Sequence, residues 1–132
     1  MDATIENLTK ELDKNGPADQ EILKKVLAEL DFIPPHDYIQ FIKTHNGAEG
    51  VINESYLQLL PIEELNNFNL MYESASYAPV YFIFGSNLGG TAYAFNKGNN
   101  EIVAFELVDM VSEDLEVIGT DFVSFLKKLA DA

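Results

Sequence analysis

Ile33-Pro34-Pro35-His36-Asp37-Tyr38-Ile39-Gln40-Phe41-Ile42-Lys43-Thr44-His45-Asn46-Gly47 spells a short helix together with its start and its stop. Pro35 suits the first helical position, where a missing N–H leaves no bond unmade. Tyr38, Phe41, Ile42 and His45 recur at steps of three and four residues, which gathers them on one face. Asn46-Gly47 ends the run, because glycine tolerates the left-handed backbone that closes many helices and lets the chain turn sharply into an extended segment. The spacing predicts Tyr38, Phe41 and Ile42 buried against a sheet, with Asn46-Gly47 just past the helix end.

Upstream, Ile5, Leu8 and Leu12 fall on one side of a segment that Asn15-Gly16-Pro17 stops, which predicts a peripheral N-terminal helix within residues 1–16. Asp19 can cap a second helix with the stripe Ile22, Leu23, Val26, Leu27 and Leu30, and Pro34-Pro35 breaks it. Downstream the texture turns extended at residues 51–52 and 56–60. Pro61 then opens a short helix that Asn66-Asn67-Phe68-Asn69 is expected to unwind. Residues 80–85, 91–96 and 102–107 read as strands, the last two as a hairpin around Lys97-Gly98-Asn99-Asn100. A further strand near residues 115–118 precedes a final helix, capped by Thr120, whose Phe122, Phe125, Leu126 and Leu129 face the core. Helices, then strands, then a helix make an α+β fold: one domain over residues 1–132, with N-terminal helices, a mainly antiparallel sheet and a C-terminal helix.

A chain of 132 residues is one domain by default and buries about two-thirds of its unfolded surface, so it needs no covalent staples. Cysteine is absent, which removes disulfides, thiolate catalysis and thiolate metal sites. Met1-Asp2-Ala3-Thr4-Ile5-Glu6 has neither the basic nor the apolar part of a leader, and no apolar run approaches membrane-spanning length, so the expected location is the cytoplasm, away from membranes.

The 22 acidic residues face only 8 basic ones, every one of them lysine. Direct nucleic-acid binding needs a cationic footprint, best gripped by arginine, and an anionic membrane would repel this chain. Over residues 48–126 the imbalance is twelve acids against Lys97 alone, a field that steers basic partners toward the protein. Seven of those acids, among them Glu106, Asp109, Glu113, Asp114 and Glu116, fall within residues 101–121 with no basic residue between them, and they are the expected partner-binding residues. Tyr72 and Tyr77, near Tyr81, Phe82 and Pro79, add a second candidate contact of interface-like composition.

No catalytic constellation emerges. His36 and His45 are nine residues apart, a poor spacing for one metal, and His45 is expected to pack or hydrogen-bond near its helix end. Ser86 sits on Gly85-Ser86-Asn87-Leu88-Gly89-Gly90, but the turn leads to a strand and lacks the Gly-x-Ser-x-Gly of a nucleophile elbow. The same loop lacks the Lys-Ser/Thr of a phosphate loop and a helix behind it, so its glycines read as chain reversal. Glu63-Glu64 and Glu113-Asp114 diverge as neighbours and form no calcium loop. A non-enzymatic protein-binding module without cofactor or metal is the expected class.

The helix motif resembles the signature of the SUKH superfamily, the Smi/Knr-type proteins, in Pro35, Tyr38, Phe41, Ile42, Asn46 and Gly47. Phe82-Ile83-Phe84-Gly85-Ser86-Asn87-Leu88-Gly89-Gly90, followed by Ala92-Tyr93-Ala94-Phe95-Asn96, is similar to the family's glycine-rich turn and strand, with Gly85, Gly89 and Gly90 as its glycines and Asn87 where an acid is usual. The resemblance implies an immunity protein that neutralises a toxin domain, often a nuclease, whose basic phosphate-binding surface an acidic inhibitor can occupy. It also implies an alternative, a regulatory or scaffold protein of the cell-wall-synthesis-regulator type that binds signalling proteins.

Overall fold

A computed structural model describes residues 3–72, 79–109 and 115–131. Its elements, in chain order, are α1 (Ala3–Leu8), β1 (Leu12–Lys14), α2 (Gln20–Glu29), α3 (His36–Thr44), β2 (Ala48–Ile52), β3 (Ser55–Leu59), a 3-10 turn (Ile62–Glu64) running into α4 (Leu65–Met71), β4 (Tyr81–Ser86), β5 (Thr91–Asn96), β6 (Ile102–Glu106), a 3-10 turn (Leu107–Asp109), β7 (Glu116–Gly119) and α5 (Phe122–Ala130). The fold is α+β as the pattern predicts. All seven strands form one sheet in sequence order, and every neighbouring pair is antiparallel.

The signature helix lies where its spacing puts it. Tyr38, Phe41 and Ile42 are buried, and His45 closes the helix by donating its backbone N–H to the Phe41 carbonyl at 2.7 Å. Pro35 is the cap one residue before the helix, not its first residue, and its carbonyl takes the Ile39 N–H. Tyr38 meets Phe84, Phe95 and Phe122 edge-on at 4.9–5.5 Å between ring centres, while Phe84 and Phe95 stack across β4 and β5 at 4.1 Å. Phe125 of α5 closes the cluster against Phe84 and Tyr93. These rings join α3 and α5 to one face of the sheet through offset and edge-to-face contacts, the arrangements that aromatic quadrupoles favour.

Asp37 locks the two helices together. Its Oδ1 accepts from the Tyr38 and Phe122 N–H groups and its Oδ2 from Val123 N–H at 3.0 Å, satisfying donors that the first turn of α5 cannot pair internally. The expected cap Thr120 is displaced by Asp121, which accepts from Ser124 N–H while the Ser124 hydroxyl oxygen accepts from Asp121 N–H, a reciprocal capping box.

Two stretches differ from the sequence reading. The N-terminal helix stops at Leu8, and residues 12–14 form an edge strand paired to β2 through Leu12↔Gly50 and Lys14↔Ala48. Thr9 ends the helix by turning its hydroxyl back onto the Ile5 carbonyl at 2.8 Å, and the segment is not peripheral, since Ile5 and Leu12 are core residues. The second difference is residues 66–69, expected to unwind, which stay helical to Met71. Asn69 is buried there: its Nδ2 donates to the Leu65 and Ile83 carbonyls, and its Oδ1 accepts from Ile83 N–H at 2.9 Å. β3 pairs with β4 only near Gly85 and Ser86, so the asparagine supplies Ile83 with the bonds a neighbouring strand would have made.

A smaller cluster occupies the opposite face: Ile83, Ala92, Ala94, Val103 and Phe105, with Phe68, Tyr81, Leu107 and Leu115 packed around them. Toward β1, β2 and β3 that face changes character, because Asp13, Glu49, Val51 and Tyr56 are exposed.

Candidate partner-binding surface

The motif residues build scaffold. Asn46 Oδ1 accepts from Ile62 N–H at 2.7 Å and its Nδ2 donates to Glu63, while its backbone N–H reaches the Gly16 carbonyl. Asn15 ties in from the other side, donating to the Asn46 and Gly47 carbonyls. Gly47 has φ +97°, and a Cβ there would stand 3.0 Å from the Leu59 carbonyl oxygen, so the corner admits only glycine without strain. At Gly85 a Cβ would come within 2.5 Å of the Gln58 carbonyl oxygen, which explains the glycine where β4 crosses closest to β3.

The rest of the glycine-rich turn is self-contained. Asn87 Oδ1 accepts from Gly89 and Thr91 N–H, and the buried Ser86 hydroxyl accepts from Leu88 N–H. Gly90, at φ +100°, passes its carbonyl to Leu107 N–H. The turn enters β5 and not a helix, and among the described residues the histidines bond elsewhere than to Ser86. His36 pairs with Gln40, whereas His45 lies between the Asn15 carbonyl and Glu6 at 3.2 Å; that hydrogen bond, first among the causes, lowers the Glu6 pKa. Among the described residues no group of three or more histidines and carboxylates is placed to hold a metal.

The predicted acidic site is brought together in part. Thr91 pairs with Glu106 and Ala104 with Glu116, which puts Glu106 and Glu116 on adjacent strands, diagonal to one another on the same face, both exposed. Glu106 accepts from the Thr91 hydroxyl at 3.2 Å. Asp109 contributes its backbone to the 3-10 turn after β6, and Glu113, Asp114 and Tyr77 lie outside the described residues. Tyr72 ends α4 half-buried with its ring 4.9 Å from Phe68, and Phe82 is a core residue, so the expected aromatic patch is partly core.

A further acidic and aromatic surface went unread in the sequence. Glu49 and Gln58 face each other across β2 and β3, as do Val51 and Tyr56, and Asp13 of β1 lies beside Glu49. Tyr56 donates its hydroxyl to Glu49 at 2.6 Å, which raises the tyrosine pKa, and Gln58 donates to the other carboxylate oxygen. Strict alternation was the available signal: Ala48 and Ile52 inward, Glu49 and Val51 outward, then Leu57 and Leu59 inward with Tyr56 and Gln58 outward. Near this face α4 shows Leu70 and Met71 about 70% exposed beside a shallow groove of about 430 Å³ lined by Leu60, Glu64 and Phe68.

Charge completes the surface. The described ion pairs join Glu6 to Lys14 and His45, and Asp31 to Lys97. Glu49, Glu54, Glu63, Glu64, Glu106, Glu116 and Asp121 are exposed, and none has a lysine partner among the described residues. None of the described helices is long and apolar enough to cross a membrane. The model of the SMI1/KNR4 family (SUKH-1) matches residues 17–128, nearly the whole of this fold from the start of α2 into α5. No curated protein matches the chain.

Proposed function

Because the chain belongs to the SMI1/KNR4 family (SUKH-1), we propose that it is a non-enzymatic protein-binding module of the immunity type, which binds and neutralises a basic toxin domain through its acidic surface. The observation that supports this most is the set of exposed carboxylates on the sheet and its flanking turns, Glu49, Glu63, Glu64, Glu106 and Glu116, without cationic partners among the described residues. Unpaired surface carboxylates do little for the fold, but they raise the encounter rate with a positive partner and repel negative ones. A nuclease domain fits that field well, since the surface it uses for phosphate is cationic. Asp109, Glu113, Asp114, Tyr72 and Tyr77 belong to the same proposal on sequence grounds, as acids and aromatics that follow β6 and α4 along the chain.

The test is capture from the native host followed by co-expression. Tagged protein should retain a basic protein whose expression alone arrests growth, and growth should return when the two are expressed together. Retention of signalling or cytoskeletal proteins, with no toxic partner, would replace neutralisation by the regulatory role.

A further inference from the structure

Two lysines border apolar surface on the helical layer. The end of α3 lies near the start of α2, since Asn46 just past α3 bonds back to Gly16 just before α2. Between them lies a groove of about 370 Å³, with Ala18, Leu23, Leu27 and Ile39 as its walls and Lys24 and Lys43 at its rim. No acidic side chain lines it. Both lysines are exposed and neither pairs with a carboxylate among the described residues, in a protein of net charge −14. Their placement is polar: Lys43 is on the last turn of α3, the end that Asn46 ties to Gly16 just before α2, Lys24 is near the middle of α2, and Leu27 lies nearly one turn further along.

We infer that this groove binds a medium-chain aliphatic carboxylate, its headgroup between Lys24 and Lys43 and its tail along Leu23, Leu27 and Ile39. The volume is in the range of small-molecule sites, which are mostly apolar with a few polar groups that fix orientation. From Gln20, its first residue, to Leu27 the α2 helix advances about 10 Å, the scale of an extended medium-length alkyl chain. Lysine stems can lie along the tail while their ammonium groups meet the carboxylate at the wetter end. The groove shares no residue with the acidic surface assigned to the toxin, so its occupancy stands or falls separately from that reading.

Titrating isotope-labelled protein with decanoate, followed by amide NMR, tests the site. Saturable shifts should concentrate in α2 and α3. Lys24→Gln with Lys43→Gln should weaken decanoate about tenfold, with the spectrum of the free protein preserved because both positions are exposed. Decanol, with the same tail and no charge, should bind more weakly to the unaltered protein and be indifferent to the two substitutions. Absence of saturation, shifts centred on Leu70 and Met71 instead, or equal decanoate affinity with and without the lysines would overturn the assignment. So would a groove that accepts an acidic leucine-rich peptide and refuses decanoate, which would make it a protein contact.

Discussion

The sheet face that carries Tyr93, Phe84 and Phe95 is roofed by α3 and α5, whereas the face of β1, β2 and β3 that carries Asp13, Glu49, Val51 and Tyr56 stands open to solvent. On the roofed face each ring meets others at 4.1–6.2 Å and Asp37 clamps the helices that bear them. On the open face a tyrosine and a glutamine hold one carboxylate, and none of the described helices folds over them. The first face specifies the fold, and its exposed carboxylates Glu106 and Glu116 lie beyond the packed rings. The second contributes little to stability and keeps Glu49 exposed, which suits the proposed contact with another protein.

The comparison breaks most visibly at Phe41, which has no exposed surface. Phe41→Ala should lower unfolding free energy by about 3–5 kcal/mol in denaturant titration, whereas truncation on the open face, at Val51, should cost well under half of that. Asn46→Ala comes next. It strands the N–H of Ile62, itself a core residue, and should cost about 1–3 kcal/mol while leaving the rate of partner binding unchanged, which would mark the motif as framework.

Tyr38 sharpens the contrast in the other direction. Its hydroxyl is buried with no hydrogen-bond partner among the described residues, and burial pushes its pKa up. Phenylalanine would keep the rings that touch Phe84, Phe95 and Phe122 and remove an unpaired polar atom. Tyr38→Phe should therefore raise the midpoint of thermal unfolding, by a stability gain of about 1 kcal/mol.

The roofed face was legible because periodicity and terminators encode it locally: the three- and four-residue steps from Tyr38 to Ile42, the Asn46-Gly47 stop and the hairpin of residues 91–107 all stand where they were read. The misread parts depend on partners distant in sequence. Leu12 is a strand residue only because β2 lies beside it, and Asn69 holds a helix together because Ile83 needs its amide. Thr120 and Asp121 are both competent caps, and the choice falls to the residue that Ser124 can answer. Of the candidate site, charge was readable and position was not: an acid count cannot say that Glu106 and Glu116 are diagonal neighbours, nor that Glu49 joins Tyr56, until strand register is known.

The smallest effect on stability should accompany the largest effect on encounter. Replacing Glu49, Glu106 and Glu116 with glutamine should change unfolding free energy by less than about 0.5 kcal/mol per site, since all three are exposed. The direct test of the acidic-surface account is the association rate of this triple variant and of the unaltered protein with the captured partner, followed by stopped-flow at low and physiological salt. The account predicts a slower variant, a rate for the unaltered protein that falls steeply as the screening length shortens toward about 8 Å, and a dissociation rate that moves much less. Equal association rates for the two proteins, with no dependence on salt, would contradict it.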